Sequence, residues 1–181
     1  MTALRPSFDS VTFRRAMGHV PTAVSVVTAT DEQGHVGMTV GSFTSISLEP
    51  PLVGFFADTE SATLQRIRNA GSFCVNVLTD RQNHACMSFA SKVADRFAGI
   101  DVLPGQHAAP RLAGSMAWID CTADCLVEFG DHVVIVGRVH ELEVASGNHR
   151  PLVFFRGKLC NLDRRTVPSK GHWQLDHYAD W

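Results

Sequence analysis

Long apolar runs are missing from this chain. Its longest uncharged stretches are broken by Ser, Thr, Gly and Pro, so none reads as a membrane span and no membrane partner is expected. Runs of positive charge are missing too. No Lys/Arg run exceeds two and the net charge is −2, which argues against nucleic acid as a partner. The first residues, Met1 to Phe8, lack the apolar segment of a secretory signal. Cysteine is sparse, five residues without tight spacing, and that odd count fits free thiols in a reducing, cytoplasmic setting. The short motifs of several large enzyme classes are also absent. There is no Gly-x-Ser-x-Gly elbow, no phosphate-loop lysine and no Gly-x-Gly-x-x-Gly opening a helix. A nucleotide-like ligand would need a site made from strand edges and scattered hydroxyls.

What is present is enough for a core. Apolar residues make up 45% of 181, the size of one domain, expected to bury roughly 70% of the surface its unfolded chain exposes. Residues 7–19 have helical spacing at Phe13, Ala16, Met17 and Val20, with Ser7 or Asp9 as cap and Pro21 as stop. Thr22 to Thr30 is rich in β-branched residues, and the turn at 31–34 folds Val36 to Val40 back as a hairpin. Leu52 to Ala57 is a short strand. A helix follows from Ser61, its cap, to Ala70, ended by Gly71. Phe73 to Leu78 is a strand, and Asp80 can cap a second short helix reaching Ala90. The segment 91–110 is loop-like. Residues 117–129 alternate strictly, with Ala117, Ile119, Cys121, Ala123, Cys125, Val127 and Phe129 on one face, and His132 to Val144 returns as a long strand. Short strands follow around Arg156-Gly157, and a polar tail begins at 163. Strands arrive as hairpins rather than alternating with helices. The expected class is therefore mainly β, an antiparallel barrel with peripheral helices, in a single domain.

The stretch Gly37-Met38-Thr39-Val40-Gly41-Ser42-Phe43-Thr44-Ser45-Ile46-Ser47-Leu48-Glu49-Pro50-Pro51 stands out. It carries two glycines and five hydroxyls, with no basic residue. It is either a Ser/Thr-rich turn or a strand that receives a flat, polar-edged ligand close to bare backbone. Ser88, Ser91 and Lys92, with Asp95 and Arg96 beyond, and Ala62-Thr63 at a helix start, are either solvated surface or the cradle of one phosphate. Gly130-Asp131-His132 is a tight turn whose histidine could bind an anion or donate a proton. Cys121 and Cys125 lie about 13 Å apart along a strand, too far for one metal ion, and are expected in the core. No metal site is expected.

In this order and spacing, Pro21-Thr22-Ala23-Val24, the 37–53 stretch, Phe73 to Leu78, Phe89-Ala90-Ser91-Lys92 with Asp95-Arg96-Phe97-Ala98-Gly99, Gly130-Asp131-His132 and Pro151 to Gly157 resemble the short-chain flavin reductases. These are reductase components of two-component flavin-dependent aromatic monooxygenases, with the FMN-binding split-barrel fold. The resemblance covers about residues 8–162, leaving a tail from 163 to 181. It implies a homodimer that binds FMN or FAD at the subunit interface. It further implies hydride transfer from NADH or NADPH and transient supply of reduced flavin to an oxygenase component. By the same resemblance, Val36, Gly37, Met38, Thr39, Gly41 and Ser42 line the flavin, and Phe56, Ala57 and Asp58 continue that wall. Thr63, Ser88, Phe89, Ser91 and Lys92 surround its phosphate end. His132 and Leu152, Val153, Phe154 and Phe155 approach the nicotinamide cofactor, with His132 the candidate catalytic residue. Two positions depart from the pattern: Ala23, often Gly, and Ala62, basic in some relatives. The alternatives are a flavin- or haem-binding barrel without turnover, and a reductase passing electrons to another acceptor such as a corrin cobalt.

Overall fold

The computed structural model of the chain describes residues 7–105 and 109–162; the expected tail, 163–181, lies outside them. The elements run in the order α1 (Ser10–Met17), β1 (Thr22–Ala23), β2 (Ser25–Asp31), β3 (Gly34–Val40), β4 (Thr44–Ser47), β5 (Leu52–Asp58), α2 (Ala62–Ala70) and β6 (Ser72–Val77). They continue with α3 (Asn83–Ala90), β7 (Val102–Leu103), β8 (Arg111–Leu112), β9 (Ala117–Phe129), β10 (His132–Val144), β11 (Leu152–Phe155) and β12 (Lys158–Asn161). Seven strands form one antiparallel sheet in the order β3-β2-β6-β9-β10-β5-β4, and β1-β11-β12 form a second, smaller sheet. The large sheet curls around one apolar core to which β2, β3, β5, β6, β9 and β10 all contribute, including Val27, Phe55, Phe73 and Ile135. No helix of the described residues is long and apolar enough to cross a membrane.

Local chemistry explains the elements that position the site. In α2, Ser61 Oγ accepts the Leu64 N–H at 3.3 Å, Leu64 and Ile67 turn into the core, and Gly71 leaves the helix at φ 69°. Burying each of those two side chains is worth about 1.5–3 kcal/mol. Strand β2 is buried on both faces. Val27 and Ala29 enter the main core, while Val26, next to Val24, enters a second cluster with Leu78, Cys86, Phe89, Leu112 and Leu152. Helix α3 covers that second cluster. Asn76, fully buried, has its polar groups matched: its amide donates to Val26 O and Thr28 Oγ1 at 3.0 Å, and its Oδ1 accepts from Leu112 N at 2.7 Å.

Several expectations are corrected. The strand read over 22–30 is split between the two sheets at Val24. Asp9, one of the two expected caps of α1, does accept from Thr12 N at 2.8 Å, but the helix is shorter than the expected 7–19 and none of its residues is buried. Asp80 does not cap α3, which starts after Gln82; its carboxylate pairs with Arg150 instead. The single apolar face over 117–129 also fails. Asp124 is an extra residue opposite Val136 and Gly137, so alternation reverses there. Cys121 is buried, but Cys125, Val127 and Phe129 are exposed while Leu126 packs on the core.

Candidate functional site

Strand β3 forms a wall anchored from behind. Val36 and Val40 face the main core, and the Gly37 backbone lies over the buried Phe89 ring. A Cβ at Gly37 would meet Phe89 Cε1 at 2.8 Å and Val27 O at 3.0 Å, so glycine is what lets wall and helix meet. Thr39 Oγ1 donates to Cys86 O at 2.8 Å, a second tie to α3. Met38 packs against the main core. The ladder to β2 ends at Val40, so the Gly41 and Ser42 N–H groups lie beyond it. Gly41 passes so close to Thr22 that a Cβ would stand 2.9 Å from its Oγ1. Ser42 Oγ accepts the Phe56 N–H at 2.9 Å, which joins the end of β3 to β5. Phe56 is half-exposed there, Ala57 is buried behind it, and Asp58 ends the strand.

A cleft of about 270 Å³ opens at the Gly37 end, between β3, the first turn of α2 and residues 93–97. Val36, Gly37 and Thr63 line it, as do Ala62, His35, Arg66 and Arg96. Arg96 Nη1 donates to Gly37 O at 2.9 Å and to Thr63 Oγ1 at 3.0 Å, bridging wall and helix. Arg66 binds Asp31 through Nε at 2.8 Å and Nη2 at 2.6 Å. That hydrogen bond holds the Asp31 carboxyl below the ordinary carboxylate range. The cleft thus presents guanidinium groups, a hydroxyl and a helix start, a set that suits a phosphate. The wall beside it has hydroxyls, bare backbone and no charge, which suits a planar ring with polar edges.

The other expected residues fall around these two features. Ser91 and Lys92 lead directly into the 93–97 segment, and Ser91 Oγ donates to Ser88 O at 2.9 Å, turning the chain off α3. Phe89 is buried and shapes the wall from beneath, edge-on to Phe97 at 4.8 Å. His132 begins β10 directly opposite Asp58, its ring half-exposed and Nδ1 2.8 Å from Asp131 Oδ1. The bond to His132 holds the Asp131 carboxyl below its ordinary value, with a smaller contribution from Arg14. Leu152 is fully buried and belongs to the second core, whereas Phe154 is exposed beside Thr22. Val153 and Phe155 are half-buried. Arg96 stood in the sequence only as a possible member of a phosphate cradle, and His35 and Arg66 were not singled out at all. Arg66 follows Thr63 by three residues on a helix, a spacing that would have placed both on one face.

A curled antiparallel sheet with a phosphate-suited cleft beside an uncharged wall makes a barrel-like protein with room for a planar, phosphate-bearing ligand. The chain belongs to the flavin reductase like domain family, whose pattern matches residues 17–163. It is 45% identical over 155 residues to a flavin reductase of Pseudomonas putida, covering 85% of this chain and 91% of that one. It is 41% identical over 170 residues to the flavin-dependent monooxygenase reductase subunit HsaB of Mycobacterium tuberculosis, covering 93% and 90%. Among solved structures, the Streptomyces globisporus NADH:FAD oxidoreductase SgcE6, in complex with NAD and FAD fragments, superposes with a TM-score of 0.83 at 32% identity, covering 92% of this chain and 100% of that one.

Proposed function

We propose that the chain is an NAD(P)H:flavin oxidoreductase that reduces FMN or FAD and releases the product to a partner monooxygenase. The observation that carries the reading is the Arg96 bridge from Gly37 O to Thr63 Oγ1, which sets a phosphate-suited cleft at the end of an uncharged wall. Bound flavin supplies the ring that accepts a hydride from NADH or NADPH. Arg96, Thr63, Ser91 and Lys92 hold its phosphate end. Val36 to Thr39, Gly41 and Ser42 hold the ring and ribityl chain, and Phe56 to Asp58 continue that surface. The Gly41 and Ser42 N–H groups, free of the β2 ladder, offer donors to a polar ring edge. His132, half-exposed and oriented by Asp131, positions the nicotinamide nucleotide and can hold a proton near it. Phe154, exposed on the small sheet, offers that nucleotide a flat apolar contact.

The working unit is read as a homodimer of single-domain chains in the cytoplasm. Its support is the apolar surface left on α1, where Val11, Phe13 and Met17 are each at least 50% exposed. The test is spectroscopic. Purified protein should oxidise NADH or NADPH at 340 nm when FMN or FAD is added, and His132→Ala should raise the KM for the nicotinamide substrate more than that for flavin. No oxidation with any pairing would leave only a binding module.

A further inference from the structure

A second cavity lies apart from the cleft. It has a volume of about 360 Å³ and is lined by Arg14, Arg15, His19 and Arg156, with Gly18 and Gly157. Among the described residues no carboxylate lines it and none of its three arginines is in an ion pair. In a chain of net charge −2 this is a concentrated positive site. Arginines in the last turn of a helix can serve simply to offset its dipole, which would account for Arg14 and Arg15. It does not account for Arg156. That residue comes from a different element, and its backbone is left-handed at φ 51°, alone among the described non-glycine residues. Such a turn position favours Gly or Asn, so local preference runs against the residue found there. The strained backbone is fixed to α1 by its N–H, which donates to Gly18 O at 2.8 Å. Arg156, anchored through its backbone, lines one cavity with Arg14 and Arg15, and three arginines in one cavity match an oxyanion with several acceptor oxygens.

The cavity also has an address. Gly41 of the wall touches Thr22, and Thr22 pairs with Phe154. Arg156 follows the exposed Phe154 by only two residues. The last turn of helix α1 thus stands beside the turn that follows Phe154, one of the two segments read as meeting the nicotinamide nucleotide.

We infer that Arg14, Arg15 and Arg156 form a subsite for the phosphate groups of the nicotinamide dinucleotide. This rests on the reductase reading above. It is distinct from the flavin phosphate cleft of Arg96 and Thr63. Its chemistry takes either the pyrophosphate common to both reductants or the 2′-phosphate of NADPH.

Calorimetric titration with ADP and 2′,5′-ADP tests it without turnover. Both carry phosphate and lack nicotinamide. The variants are Arg156→Gly, which suits the left-handed backbone and so spares the fold, and Arg15→Ala. The expected result is binding to the native chain that weakens about tenfold or more in each variant. A parallel rise in the KM for NADH or NADPH is expected, with the FMN titration unmoved. Loss confined to ADP, or equal loss through the 5′-phosphate that the two ligands share, assigns the pyrophosphate, and loss confined to 2′,5′-ADP assigns the 2′-phosphate. Failure of the native chain to bind either ligand overturns the subsite, as does equal binding by native and variant proteins. A variant that weakens FAD but leaves both reductants' KM unchanged also overturns it. If the ligands bind and the variants lose them while the native chain oxidises neither reductant, the subsite stands and the reductase reading falls.

Discussion

Arg96 shows how a single side chain can join two parts of a site. It touches the wall through Gly37 O and the helix through Thr63 Oγ1, and it brings the charge that the wall lacks. Arg96→Leu is expected to raise the FMN dissociation constant at least tenfold, since a charged hydrogen bond to phosphate contributes about 1.5–3 kcal/mol. Fluorescence titration reads this directly, and an unchanged constant would remove Arg96 from the site. The neighbouring Arg66–Asp31 pair predicts a pH effect. Arg66 lowers the pKa of Asp31 from its ordinary 3.8, so the folded state holds this proton less tightly than the unfolded chain. The stabilisation is therefore fully present above the unfolded value and lost as pH falls through the lowered one. Denaturant midpoints measured from about pH 6 down to about pH 2 should fall less steeply for Asp31→Asn than for the native chain. Parallel curves would show that the pair contributes nothing. In the sequence Arg96 was visible only as a neighbour of Lys92, because nothing local says that a loop arginine reaches back 59 residues to Gly37.

At the scale of elements, the contact between β3 and α3 sets the shape of the wall. Gly37→Ala places a methyl 2.8 Å from the Phe89 ring, and overpacking of this kind costs about 1–3 kcal/mol. Phe89→Leu should relieve part of that cost. A double-mutant cycle by chemical denaturation is expected to show favourable coupling between the two changes, and strict additivity would contradict the packing described. Elements whose signals are local were legible. Helix α2 carries its cap, its period and its glycine between Ser61 and Gly71. The bounds of β9 and β10 follow from alternation around a Gly-Asp turn. The extra residue at Asp124 was not legible, because a bulge is a property of two strands in register and alternation within one strand does not reveal it. The apolar period of α1 was read correctly, but not what it faces: periodicity reports that a face is apolar and leaves open whether the chain itself covers it.

At the scale of the whole molecule, that uncovered face is the main evidence about assembly. Val11, Phe13 and Met17 on α1, and Leu142 and Val144 at the end of β10, leave more large apolar side chains in water than a solitary chain would be expected to carry. Val11→Glu with Met17→Glu should convert a dimer to monomer in sedimentation equilibrium, without loss of the β signal in circular dichroism. A native chain that sediments as a monomer at micromolar concentration would refute the dimer.

Strand β2, buried on both faces, is the common boundary of two cores. Neither core can open without exposing that strand, so the two should melt together. The amides of Val26 to Ala29 should exchange with deuterium only through global unfolding, with protection that tracks the full stability of the protein as denaturant is added. The edge strand β4, with one neighbour and mostly exposed side chains, should exchange through local fluctuations at much lower free energy. The uncharged wall, β3, lies next to β2 and is bound to α3 from behind. Its rigidity should then follow that of β2, which would let a ligand enter and leave while the surface it binds keeps its shape.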